Sequence, residues 1–236
     1  MDAKYGDFAF TPRNGKAVEI NALWYNALKI MQEFSGICET KEESNTYKEM
    51  AEDTQIAFGN KFYNKKRKCL YDVIGDSKIR PNQLFALSLT YPVIEPDSEI
   101  AENMINVVEK KLLTDYGLRT LAKGEQNYVE TYEGDPFKRD ASYHQGPVWP
   151  WLLGLYYNSL KNMLEAQKNK TKKQALMEKI EKFCENTEKT FVDAIDRDGV
   201  IGSIAEIYDT KAPYSSKGAP DQAWSVSEIF RIILRK

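Results

Sequence analysis

Apolar residues recur at helical spacing in one segment of this chain after another. From Ala17 the positions Leu23, Ala27, Ile30, Met31 and Phe34 keep an i, i+4, i+7, i+8, i+11 rhythm, which predicts a helix stopped by Gly36. A second, more polar helix is predicted from about 45 to 58, broken by Gly59-Asn60, and the two make one hairpin. After a basic, aromatic connection over 61–68, Cys69 to Ile74 fits a short strand, and Arg80-Pro81-Asn82-Gln83 opens a helix through Leu89. Pro96-Asp97 is expected to cap the next helix, whose stripe is Ile100, Met104, Val107, Val108 and Leu112.

Further on, Pro147 and Pro150 suit the first turn of a helix over 147–166, with Leu153, Tyr156, Tyr157 and Leu160 in register. Thr171-Lys172-Lys173-Gln174 fits a capping box before a long helix that turns Leu176, Ile180, Phe183, Thr187 and Phe191 inward. Asp221 is placed to cap a last helix with Trp224, Phe230 and Ile233 on its buried side. The pattern is all-α, with about seven helices.

The irregular segments near 1–16, 69–83, 115–147 and 200–221 are each separated by about two helices. Two antiparallel helices return the chain to the end it left, so all four polar loops are expected at one end. A toroid of helical hairpins has this property, with a site in the bowl. No internal repeat of about 34 or 40 residues marks a tetratricopeptide or HEAT solenoid.

The densest run of special residues is Tyr143-His144-Gln145-Gly146-Pro147-Val148-Trp149-Pro150-Trp151-Leu152-Leu153-Gly154, which includes the only histidine. Flat aromatic faces beside amide and imidazole groups suit a sugar ring, apolar on its faces and hydroxylated round its rim. The alternative is that Trp149 and Trp151 are core anchors and His144 a capping residue.

Composition narrows the partner. In 236 residues, 33 Lys plus Arg oppose 35 Asp plus Glu, a net charge of −2 that gives no reason to expect a nucleic-acid or membrane partner. Three scattered cysteines, Cys38, Cys69 and Cys184, and a single histidine indicate neither a disulfide framework nor a metal site. No run approaches the ~20 apolar residues of a membrane span, and the first residues form no apolar signal, so a cytoplasmic location is expected. Met1-Asp2-Ala3-Lys4 reads as the middle of a loop, so the natural N-terminus is expected upstream.

Glycosidic cleavage uses one carboxylic acid to protonate the leaving oxygen and a second carboxylate across the ring, about 6.5–9.5 Å away in an inverting site. The loops offer Asp2, Asp7, Glu19, Asp72, Asp135, Asp140, Glu206, Asp209 and Asp221, and composition does not choose among them. Glu206 stands out because its neighbours Ile201, Ile204, Ala205 and Ile207 would desolvate it; the alternative is a solvent-facing strand residue.

Five stretches, in order, resemble the amylo-α-1,6-glucosidase domain of glycogen debranching enzymes. They are Met1-Asp2-Ala3-Lys4 with Thr11 to Leu28; Ile79 to Gln83; Tyr143 to Gly154; Ile204-Ala205-Glu206-Ile207-Tyr208-Asp209; and Gly218 to Glu228. The resemblance implies an (α/α)6 toroid that removes α-1,6-linked branch glucose from glycogen or another branched α-glucan with inversion, without cofactor or metal. It implies Asp2 as general acid and Glu206 as general base. Glu19, Asn21, Trp24, Arg80, Gln83, His144, Gln145, Trp149, Asp209 and Gln222 become candidates for the substrate shell.

That toroid needs twelve helices, so residues 1–236 are expected to be the C-terminal portion of a single glucosidase domain. The transferase domain of the two-activity enzymes has no counterpart here, so a single hydrolytic activity is expected. Two other readings stay open. One is another inverting toroid α-glucosidase, trehalase-like or of the processing type; the other is a non-catalytic glycan-binding fragment.

Overall fold

The computed structural model describes residues 3–38 and 40–236. Its eight α-helices among the described residues are α1 (Val18–Ile37), α2 (Lys41–Phe62), α3 (Phe85–Ser88), α4 (Glu99–Lys111), α5 (Pro136–Ser142), α6 (Leu152–Ala166), α7 (Lys170–Ile195) and α8 (Ala223–Ile233). A 3-10 turn over Pro81–Leu84 leads into α3. No helix is long and apolar enough to cross a membrane among the described residues.

Helix α1 packs on α3, α3 on α6 and α6 on α8, so one helix after another forms an arc, with α2 behind α1 and α7 behind α6 and α8. Burial follows from composition: α6 is apolar on most of its circumference and buries Leu152, Leu153, Tyr156, Tyr157, Leu160 and Met163, as an interior helix must. By contrast α2 buries only Ala51, Phe58 and Phe62 along its length, as an outer helix with one covered face does. Helix α6 divides the core in two. Leu152, Tyr156 and Leu160 join the cluster of α1 to α4, and Leu153 and Tyr157 join that of α7 and α8. Lys172 and Lys179 of α7 pair with Glu102 and Glu109 of α4, which ties the two outer helices together.

The loops at one end are sewn together by short strands, an addition to the all-helical pattern. Strands β1 (Lys4–Tyr5) and β2 (Phe8–Ala9) pair, as do β3 (Tyr63–Asn64) and β4 (Cys69–Leu70). A five-stranded antiparallel sheet runs in the order β5 (Leu113–Thr114), β6 (Gly117–Arg119), β7 (Val148–Trp149), β8 (Ile207–Tyr208) and β9 (Ser216–Lys217). It gathers two of the loop regions expected to share one end.

Several sequence expectations shift. Residues Val148–Trp149 are strand, not helix, because Leu118 and Arg119 pair with Trp149 and Val148; the helix starts at Leu152. Helix α2 runs through Gly59-Asn60, since Phe58 and Phe62 stack at 4.4 Å between ring centroids on its buried side. That anchor outweighs the ~1 kcal/mol cost of one helical glycine. Ser98 rather than Pro96-Asp97 caps α4, and Asn169 rather than Thr171 caps α7, each side chain accepting from the backbone N–H three residues on. Asp221 accepts a hydrogen bond from the Ser203 hydroxyl, and Gln222 holds the cap position of α8 without a side-chain bond to the helix's own N–H groups.

Two helix faces are reversed. Helix α8 buries Ser225, Ile229 and Ile232 and leaves Trp224 and Phe230 largely exposed. Helix α1 buries Val18, Ala22, Tyr25 and Leu28, whereas Ile20, Leu23, Trp24, Ala27, Met31 and Phe34 lie on an exposed flank. The apolar rhythm of α1 therefore marks the face its own chain does not cover.

Candidate active site

Glu206 follows the buried pair Ile204-Ala205 and immediately precedes β8, so the β8–β9 hairpin fixes its backbone: its N–H donates to the Ala219 carbonyl at 2.9 Å. The residue is only 9% exposed, so it is not a solvent-facing strand residue. Oε1 accepts from the Tyr143 hydroxyl at 2.8 Å and from Gln222 Nε2 at 3.2 Å, and Oε2 accepts from the Ala219 N–H at 3.2 Å. Gly218, at φ +70°, is what lets the hairpin pass: a Cβ there would stand 2.4 Å from Oε2.

This carboxylate faces a cavity of about 510 Å3 lined by Glu19, Asn82, Phe85, Tyr143, His144, Trp149, Trp151, Gln222 and Trp224. Trp151 and Trp224 stack at 5.2 Å, and the His144 ring stacks on Trp149 at 5.3 Å. Trp149 is both wall and anchor: it is 4% exposed and its indole N–H donates to the Tyr143 carbonyl at 3.2 Å. Trp224, at 45% exposed, offers the open aromatic face. A roomier hollow of about 690 Å3, lined by Asn64, Lys66, Arg67, Tyr71 and Lys111 among others, has neither a carboxylate nor an indole in its wall.

Glu19, another residue of the cavity wall, is one of two carboxylates that Arg13 clamps. Its guanidinium donates to both oxygens of Glu19, and Nε donates to Asp72 Oδ2 at 2.7 Å. Burial disfavours the Arg13 charge, but the bonds and charges of Glu19 and Asp72 outweigh it and raise its pKa. Asn82 Nδ2 completes the cluster by donating to Asp72 Oδ1 at 2.8 Å.

The nominated residues separate into three groups. Glu19, His144, Trp149, Glu206 and Gln222 line the one cavity. Arg80, Gln83 and Gln145 are buried behind it as struts. Arg80 donates to the carbonyls of Thr120 and His144 and to Gln145 Oε1, and Gln145 reaches the Phe10 carbonyl. Gln83 bridges the Leu70 N–H and the Arg80 carbonyl. Asn21 and Trp24 line a separate hollow of about 210 Å3 with Lys16, Phe58 and Lys61. Asp209 is not in the cavity wall; one carboxylate oxygen is buried without a partner among the described residues, and burial raises its pKa. Asp2 lies outside the described residues.

Sequence reasoning did not single out Tyr143, Arg13 or Trp224 for the site. Tyr143 opened the aromatic run, so a signal existed. Burial, then the bond to Glu206, pushes its phenol well above the usual range, so it stays a donor.

The profile of amylo-alpha-1,6-glucosidases matches residues 1–231. The chain belongs to this family. The glycogen debranching enzyme of Saccharomyces cerevisiae is 27% identical over 185 residues, covering 62% of this chain and 12% of that protein. Among solved structures, a sialidase superposes with TM-score 0.68 at 15% identity, over 93% of this chain and 19% of its own. A GH63 mannosylglycerate hydrolase from Thermus thermophilus, in complex with glucose, superposes with TM-score 0.58 at 12% identity over 93% of this chain and 45% of its own. A family 15 glucoamylase from Hypocrea jecorina gives 0.52 at 14% identity over 94% and 42%. These likenesses show the fold, the (α/α)6 toroid of helical hairpins, of which this family member forms the arc described above. The chain spans less than half the length of each relative.

Proposed function

We propose that this chain supplies the catalytic bowl of an α-1,6-glucosidase that removes branch glucose from glycogen limit dextrin, or a similar branched α-glucan, with inversion. The observation that carries the reading is Glu206: a carboxylate held by three donors at the edge of an aromatic-walled cavity. In the reaction, Glu206 takes a proton from a water that attacks the anomeric carbon, and the departing glucan oxygen is protonated by a carboxylic acid. Family resemblance nominates Asp2 for that acid. Trp224 and Trp151 offer flat faces to the sugar, and His144, Gln222 and Glu19 offer polar groups to its hydroxyls.

The test is the anomer of the first product. Incubation of the full-length protein with limit dextrin should release β-glucose, seen by proton NMR before mutarotation, while trehalose is untouched. Glu206→Gln, which keeps shape and removes basicity, should lower turnover about a hundredfold to ten-thousandfold and leave maltooligosaccharide binding nearly unchanged. First release of α-glucose, or a Glu206→Gln variant of near-full activity, would overturn the assignment.

A further inference from the structure

The two oxygens of Glu206 are not equivalent. A carboxylate offers about four lone-pair sites. On Oε1 both are taken, by the Tyr143 hydroxyl and Gln222 Nε2, whereas among the described residues Oε2 accepts only from the Ala219 N–H. We propose that Tyr143 is a positioning residue: its hydroxyl locks Oε1 and thereby leaves Oε2 as the oxygen that receives the proton of the attacking water. This rests on the reading of Glu206 as the general base.

The phenol is fixed from several sides. Its ring lies 4.6 Å from His144, 4.9 Å edge-on from Trp149 and 5.5 Å from Tyr132, and its own carbonyl accepts from the Trp149 indole. A donor so held cannot follow the carboxylate if it turns, so it selects one orientation about the last side-chain bond. Gln222 alone is a weaker lock, because it sits at the start of α8, half-exposed, and its contact is longer. Among the described residues, Tyr132 and Asp140, both from the segment around α5, also lie near the phenol. Neither donates a hydrogen bond to Glu206 among the described residues, so neither substitutes for Tyr143. The phenol also remains protonated throughout the working range, since burial and Glu206 itself raise its pKa.

Tyr143→Phe keeps the ring contacts and removes the donor. In the full-length protein kcat on limit dextrin should fall about tenfold to a hundredfold with KM within about twofold, since a base that is misaligned loses rate rather than binding. The melting temperature and maltooligosaccharide binding should stay close to those of the parent, which a merely structural role of the phenol would not allow. Should Tyr143→Phe fail to fold, Gln222→Leu removes the other donor to Oε1 and should lower kcat by a smaller factor. An unchanged kcat in Tyr143→Phe, while Glu206→Gln is inactive, overturns the role of Tyr143 alone. Retained activity in Glu206→Gln removes the base assignment itself, and the role of Tyr143 falls with it.

Discussion

Nη1 of Arg80 donates to the main-chain carbonyl of His144 at 2.6 Å, so a guanidinium buried behind the cavity sets the position of its wall. The same group bonds Gln145 Oε1 and the Thr120 carbonyl and lies 3.8 Å from Asp72. Arg80→Met should destabilise the fold by about 3 to 5 kcal/mol, because it leaves a buried carboxylate short of charge and several acceptors unpaired. Thermal melting checks this, and a variant as stable as the parent but unable to bind maltooligosaccharide would instead assign Arg80 to substrate.

The contrast between two tryptophans gives a second expectation. Trp224 is half exposed on the cavity rim, and Trp149 is enclosed. Trp224→Ala should weaken maltooligosaccharide binding by about 1 to 2 kcal/mol, the order of an aromatic contact and its buried area, and change stability by less than that. Trp149→Ala should cost about 3 to 5 kcal/mol of stability. Calorimetric titration and melting, run side by side, separate the two, and equal losses of stability would contradict the division.

How legible the fold was depends on where the deciding contact lies. The extents of α4 and α7 and the gathering of loops at one end follow from local periodicity and from hairpin geometry. Pro147 and Pro150 suit a first helical turn as well as the flanks of a two-residue strand, and what decides for strand is pairing with Leu118 and Arg119, some thirty residues away. Apolar rhythm on α1 and α8 reports a face suited to being covered and says nothing of what covers it. Polar residues within one motif are equally ambiguous: His144 reaches the cavity, and its neighbour Gln145 turns back to Arg80. The clamp of Arg13 on Glu19 and Asp72 joins positions far apart in the chain and has no local signature.

The bare flank of α1 has a consequence in solution. Ile20, Trp24, Ala27, Met31 and Phe34 recur at spacings of four and three, the pattern by which one helix packs along another, and all are exposed. Exposed apolar patches beyond about 300–600 Å2 favour association. Residues 1–236 expressed alone should self-associate at micromolar concentration, and Trp24→Gln with Phe34→Gln should shift the population toward monomer. Light scattering after size exclusion measures this; a parent chain that is already monomeric would refute it.

Asp209 supplies a pH-dependent expectation. Burial raises its folded pKa above the unfolded value, so its ionised form is penalised in the native state. The penalty is absent below the ordinary aspartate range, where both states are protonated. It grows as pH rises through the unfolded value toward the raised folded value and is constant above that. Asp209→Asn should therefore stabilise the fold near neutrality by about 1 kcal/mol, since its partial exposure softens the cost of the unpaired oxygen. The gain should vanish in melts at low pH, and a gain independent of pH would point to a different cause.

The tightest geometric demand near Glu206 comes from Gly218. Its φ of +70° suits glycine, and a Cβ at this position would meet Glu206 Oε2 at 2.4 Å and Ile207 side-chain carbons at 3.1 Å. Gly218→Ala should cost about 1 to 3 kcal/mol from the left-handed backbone and the contact with Ile207. The carboxylate, being the end of a flexible side chain, would yield first, and it would yield by swinging away from the Ala219 N–H. A displacement of about 1 Å at a reacting group lowers rate by roughly a hundredfold. Turnover of limit dextrin should therefore fall further than stability alone explains, at a temperature where the variant is fully folded by circular dichroism. If Gly218→Ala lowered the melting temperature and left kcat intact, Oε2 would have room to spare and the assignment of the proton-accepting oxygen would have to pass to Oε1.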